Sequence, residues 1–181
     1  MRRVLIVSCV AALMIAAALA AGMNPAEEKA KDAAAKPQAP SRLDAIKKLQ
    51  GDWVQVGDDG KPTDQVVTTY RVTAGGSAVE EVLFRGTPHE MVTVYYMDGS
   101  DLMLTHYCVA GNQPRMKADK QSDPHQLVFH CAGGTNMKSE NDEHMHQATI
   151  TWKDDDHIHS EWLDFKDGKN SMTAAFDLAR K

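Results

Sequence analysis

The chain has 181 residues, with 20 basic side chains against 25 acidic ones, and the basic residues form no cluster. A net charge of −5 without a positive patch excludes nucleic acid and anionic membrane surfaces as natural partners. Three cysteines and no paired C-x-x-C exclude both a disulfide scaffold and a zinc-finger type of site.

Met1-Arg2-Arg3 opens the chain, Val4 to Ala21 is apolar, and Ala18-Leu19-Ala20 supplies small residues at a cleavage spacing. This predicts a signal peptide over residues 1–20 and export to the periplasm or beyond, with no membrane attachment after cleavage. An apolar run of this length also just suffices for an uncleaved anchor. Cys9 lies inside the run and no cysteine follows it nearby, which excludes a lipoprotein anchor. Cleavage removes Arg2 and Arg3 and takes the basic side chains to 18 against the same 25 acidic ones. Residues 21–40, rich in Ala, Lys, Glu and Pro, have nothing large to bury and read as a flexible linker. Residues 41–181 are then one domain with one core.

Ser41 is placed to cap a short helix through Leu49, with Leu43, Ile46 and Leu49 on one face. After Gly51 the hydrophobic period becomes two. Ten strands are predicted, near 53–57, 65–73, 78–85, 90–97, 101–109, 114–119, 126–131, 144–152, 157–165 and 171–179. Turn chemistry separates them, at Asp59-Gly60, Gly75-Gly76, Gly86-Thr87-Pro88, Asp98-Gly99, Gly111-Asn112, Ser122-Asp123-Pro124, Gly133-Gly134, Asp154-Asp155 and Asp167-Gly168. The fold class is all-β: an antiparallel up-and-down meander that closes into a barrel and so leaves no edge strand.

Leu49-Gln50-Gly51-Asp52-Trp53 puts Gly-x-Trp where a short helix runs into the first strand, and Arg180 follows the last. This resembles the opening of the calycin superfamily, which includes lipocalins, fatty-acid-binding proteins and nitrobindin-like barrels. The resemblance implies that Gly51, Trp53 and Arg180 are structural, with the arginine packed over the tryptophan. LTHYCVAGNQPRM (104–116) and the later TNM, HMH and EW are also similar to a branch of exported bacterial proteins with a lipocalin-like barrel. That likeness implies a fold and an export route, but no activity.

Strand faces follow from the turns. A two-residue turn near Asp98-Gly99 puts Met91, Thr93, Tyr95 and Met97 on one face with Leu102, Leu104, His106 and Cys108, an uncharged set that belongs inside. A two- or four-residue turn in Lys153–Asp156 pairs Trp152 with His157, Ile150 with His159 and Ala148 with Glu161. His144, His146, Ile150, Trp152, His157, His159 and Glu161 then share one face. A three- or five-residue turn shifts one strand and undoes that grouping.

The expected function is binding of a small, largely apolar molecule in the barrel, against Tyr95, Leu102, Leu104, Ile150 and Trp152. His106, His146, His159 and Glu161 give that pocket its polar end. The alternatives are an enzyme using the His/Glu cluster, metal-assisted or by proton transfer, and a structural or envelope-stress protein without ligand. Metal candidates are His106, His144, His146, His159 and Glu161, with zinc as the ion, because H-x-H on a strand presents two imidazoles on one side. Haem is the weaker cofactor expectation. Nitrobindin-like barrels hold it through a late histidine, and here the final strand has none. Cys108 and Cys131 are readable either as a disulfide or as two free thiols.

Overall fold

The period-two pattern after Gly51 folds into ten strands: β1 Gly51–Val56, β2 Pro62–Thr73, β3 Ala78–Leu83, β4 Met91–Asp98, β5 Asp101–Tyr107, β6 Gln113–Ala118, β7 Gln126–Thr135, β8 His144–Trp152, β9 His157–Lys166 and β10 Lys169–Arg180. They are seen in a computed structural model that describes residues 41–120 and 123–181. The expected signal peptide (1–20) and linker (21–40) lie outside the described residues. Each strand pairs antiparallel with its sequence neighbour, and β1 pairs with β10, so the meander closes into a barrel. Among the described residues one α-helix, α1 (Leu43–Lys47), precedes β1.

Helix α1 covers one end of the barrel. Leu43, Ile46 and Leu49 are buried in the common core, as their spacing requires. The Ser41 hydroxyl accepts the Leu43 amide (3.2 Å), and the Asp44 carboxylate accepts the Ser41 amide (2.8 Å). Beneath the helix Trp53 is fully buried, and its indole N–H donates to the Leu49 carbonyl (2.7 Å). The Arg180 guanidinium lies 4.5 Å from the centre of the Trp53 ring, the contact implied by the resemblance. It also donates to the carbonyls of Gln50 (3.0 Å), Lys48 (3.0 Å) and Asp155 (3.1 Å), and to the Asp156 carboxylate (3.1 Å). Gly51 makes the bend from helix to strand with φ +126, a region L side chains rarely adopt.

Two local differences from the expected pattern matter. Strand β7 runs through Gly133-Gly134 to Thr135, and the reversal comes later, over 136–143. A Cβ on Gly134 would meet the Gln113 carbonyl at 2.8 Å and Pro114 Cα at 2.9 Å, so this glycine admits close strand packing and not a turn. The β8–β9 turn is the second difference. Trp152 pairs with Ile158, Thr151 with His159, Ile150 with Ser160, Thr149 with Glu161 and Ala148 with Trp162. Five residues, Lys153–His157, therefore separate the last β8–β9 pair, and β9 is shifted by one from the even-turn register. Its cause is visible in the turn. The Asp154 carboxylate accepts the Asp156 amide (2.8 Å) and bonds the His157 ring (2.9 Å), folding Asp155 and Asp156 outward, where Arg180 binds them.

Arg180→Met should keep the packing volume and lose the charged bonds, at a cost of about 2–4 kcal/mol. Arg180→Lys should recover less than half of that, because an ammonium lacks the planar fork. Urea unfolding checks both. A midpoint unchanged in Arg180→Met would show that the contact does not hold the closure.

Candidate functional site

Strand pairing carries one polar row around the inside of the wall. Tyr70 pairs with Glu81, Glu81 with Thr93 and Thr93 with His106, across β2, β3, β4 and β5. All four are at most 1% exposed. The Tyr95 hydroxyl donates to Glu81 Oε2 (2.6 Å) and the Thr68 hydroxyl to Glu81 Oε1 (3.1 Å). Burial raises the Glu81 carboxyl above its ordinary value, and its hydroxyl neighbours oppose that rise. Burial, reinforced by the Glu81 charge, holds the Tyr70 and Tyr95 phenols well above their ordinary range, so both stay protonated. The Tyr70 hydroxyl is buried beside them with no partner in hydrogen-bonding geometry.

His106 ends the row. Its Nδ1 shares a 2.9 Å hydrogen bond with the Thr93 hydroxyl, and its Nε2 is buried without a partner. Burial lowers its pKa to about 4, so the ring is neutral at pH 7. The Trp162 indole lies against it, with ring centres 4.8 Å apart, and the Trp162 N–H is also buried and unpartnered. Each of these two polar atoms, on rings in contact, is buried without a hydrogen-bond partner, and a ligand or an ordered water would satisfy it.

The expected site divides. Tyr95, Leu102, Leu104, His106 and Ile150 are inside and buried, the first four on the inner face expected of the β4–β5 hairpin. Trp152 is half-buried at the helix-covered end, in a cleft shared with Ala45 and Lys48. His159 and Glu161 are corrected. With the five-residue turn, Ile158, Ser160, Trp162 and Asp164 are the buried alternates, and His159 and Glu161 face outward. His159 Nδ1 bonds Asp177 (3.0 Å), which also takes Lys153, and His157 bonds Asp154. The wall separates His106 from His159 and Glu161, so they cannot share an ion, a ligand or an acid–base step. Haem has no partner of the implied kind either: β10 carries no histidine, and His157 and His159 point away from the interior.

His144 and His146 do come together, with an unexpected third group. Strand β8 has one extra residue at His146, between the Met145–Asp164 and Gln147–Leu163 pairs. His144 Nε2 is 3.0 Å from His146 Nδ1, and His144 Nδ1–H donates to the Asp142 carbonyl (2.7 Å). The His146 ring stacks on Phe165 at 4.2 Å. Partial burial, and secondarily the nearby His144, lowers the His146 pKa. One ligand atom from each of Cys131, His144 and His146 lies within 4.8 Å of the others. Cys131 and Cys108 are both free thiols, and β6 stands between their strands.

Sequence reasoning missed Glu81, Tyr70, Thr68, Trp162 and Cys131 as site residues. Glu81 was findable only through the parity of the β3–β4 connection, which is seven residues long (84–90) and carries no short-turn signature. No family model matches this sequence, and no curated protein matches it.

Because the folded His106 has a pKa near 4 against 6.5 ordinarily, the unfolded chain binds a proton that the folded chain refuses. His106 should therefore cost stability as pH falls from about 6.5 to about 4, by on the order of 3 kcal/mol in total, with no further loss below. Glu81 acts in the opposite sense: its favourable contribution is present below its ordinary value of 4.5 and is lost as pH rises through its raised one. Urea midpoints followed across this range should show the acid loss flattened in His106→Phe. A slope equal to wild type would remove His106 as its source.

Proposed function

We propose that this chain is an exported, calycin-like barrel that carries a small, largely apolar molecule bearing an oxygen at one end. The observation that carries the reading is the pair of buried, unpartnered nitrogens on His106 and Trp162. An indole N–H can only donate, so the ligand's oxygen accepts there, and the oxygen or its hydroxyl completes His106 Nε2. At the helix end the interior is filled by Trp53, Tyr95, Leu102, Leu104, Met116 and Phe129, all at most 1% exposed. Towards the other end the inner apolar side chains Phe84, Cys108, Ala174 and Phe176 are only partly buried. We place the ligand's apolar body among these, with His106 and Trp162 beneath it and Tyr95, Leu102, Leu104 and Ile150 as the floor. Thr93 holds His106 from behind through its bond to Nδ1, which orients the ring, while burial keeps it neutral.

An enzyme built on a His/Glu cluster has less support, because Glu161 and His159 lie across the wall from His106. Export and a periplasmic or secreted location rest on the N-terminal sequence alone.

Native protein should release one organic compound per chain on denaturing extraction, identified by mass spectrometry. The emptied protein should bind an apolar fluorescent probe, with binding weakened about 10-fold in His106→Phe and in Trp162→Phe. No extractable compound together with no probe binding would sink the carrier reading and leave the two nitrogens to water.

A further inference from the structure

We propose that Cys131, His144 and His146 form a binding site for a thiophilic first-row transition ion, of which Zn2+ is the reference case. The site is independent of the interior ligand. It would have one thiolate, two imidazoles and a fourth position open to water.

The donor geometry is close to what such an ion requires. In a tetrahedral site with Zn–N distances near 2.0–2.1 Å, two imidazole nitrogens lie about 3.3 Å apart. His144 Nε2 and His146 Nδ1 stand 3.0 Å apart, and the Cys131 Sγ lies within 4.8 Å of one nitrogen of each ring. A Zn–S bond of about 2.3 Å asks for an S···N separation of about 3.6 Å, a closure within reach of side-chain torsions. Both imidazole rings are already oriented. His144 is 1% exposed, and its Nδ1–H is held by the Asp142 carbonyl, which leaves the Nε2 lone pair pointing at the site. A metal-bound histidine is held from its far nitrogen in the same way. Asp142 is itself fixed, its carboxylate accepting the Lys138 amide (2.7 Å) and the Ser139 hydroxyl (3.1 Å), so it acts as a positioning residue. The His146 ring is held against Phe165.

The backbone is irregular on both sides of the cluster. The extra residue in β8 is His146 itself. In β7, Ala132 and Gly133 together stand against the single Arg115 of β6, between the Pro114–Gly134 and Met116–Cys131 pairs, and Gly133 takes φ +98. Such bulges re-aim side chains, and here two of them adjoin the three donors. Cys131 and His146 are half-buried, which leaves an entry for the ion, while the buried His144 forms the floor.

The Cys131 S–H bond breaks, its proton leaves to solvent, and the thiolate binds the ion. His144 binds through Nε2 with no proton change. His146 Nδ1–H, which donates to His144 Nε2 in the free protein, gives up that proton as the ring takes one at Nε2, and Nδ1 binds. One proton is released per ion.

The test uses the full chain without a histidine tag, stripped with a chelator. Zn2+ titrated in competition with a chromophoric chelator should bind at one ion per chain, and about 100-fold more weakly in Cys131→Ser and in His146→Gln. Co2+ should give tetrahedral d–d bands and a thiolate-to-metal charge-transfer band that Cys131→Ser abolishes. One arm needs no variant: in wild type, Zn2+ should protect Cys131 from alkylation and leave the Cys108 rate unchanged, as read by peptide mass spectrometry. Equal Zn2+ affinity in wild type and His146→Gln, an octahedral Co2+ spectrum without charge transfer, or equal protection of both cysteines would each overturn the site. Binding of an organic compound in the interior bears on none of these readouts, so this site and the carrier reading stand or fall separately.

Discussion

The fold depends on one arginine. Arg180 sits at the seam where β1 meets β10, and without that pairing the ten-strand meander would be an open sheet with two edges. Its guanidinium covers Trp53, takes up carbonyls left over at the end of α1, and binds both Asp155 and Asp156 in the β8–β9 turn. The first strand, the last strand, the capping helix and a distant hairpin thus meet on one side chain that cannot lose its charge. Five donors in a rigid plane suit a site whose acceptors are mostly backbone carbonyls with nowhere else to bond. The same contact closes the barrel and holds the outward folding of the aspartate turn. The register of β9, and so which of its side chains face inward, is tied to the closure.

That coupling explains what could be read from the sequence. Strand number, order, most boundaries and the β4–β5 register were all legible, because they follow from alternation and from short turns with strong residue preferences. Gly99-Ser100, between the paired Asp98 and Asp101, is such a turn, and it put Tyr95, Leu104 and His106 inside. The aspartate-rich turn is different. Lys153-Asp154-Asp155-Asp156 signals a reversal and says nothing of its length. The length is set by side-chain bonds within the turn and by an arginine more than twenty residues away. One residue of slip sends Glu161 and His159 outward and brings in Ser160, Trp162 and Asp164.

The interior row of Tyr70, Glu81, Thr93 and His106 shows a related limit. Each residue alone is an unremarkable polar position in a strand. The row exists only once four strands are in register, and its meaning lies in what is left over. Glu81 has its hydroxyl donors, while His106 Nε2 and the Trp162 indole have none. A core that needed only stability would gain by replacing those atoms with carbon. Keeping a buried carboxyl, a neutral imidazole and an indole N–H inside the barrel costs stability, and a bound oxygen would offset that cost.

The two H-x-H pairs are identical in spacing and opposite in outcome. On β9 the strand is regular, so His157 and His159 sit apart on the outer face, and each finds its own aspartate. On β8 an extra residue falls at His146, and the backbone bends enough for the two rings to meet edge to face, their ring nitrogens in contact. The bulge in β7 then places a thiol beside them. Chemistry that spacing alone assigns equally to both pairs is separated by backbone geometry. Two neutral imidazoles can share only one proton between their facing nitrogens, and that pairing leaves Cys131 outside it. An ion would draw all three donors to one centre, the thiol leaving its 3.8 Å contact with the Gly133 carbonyl.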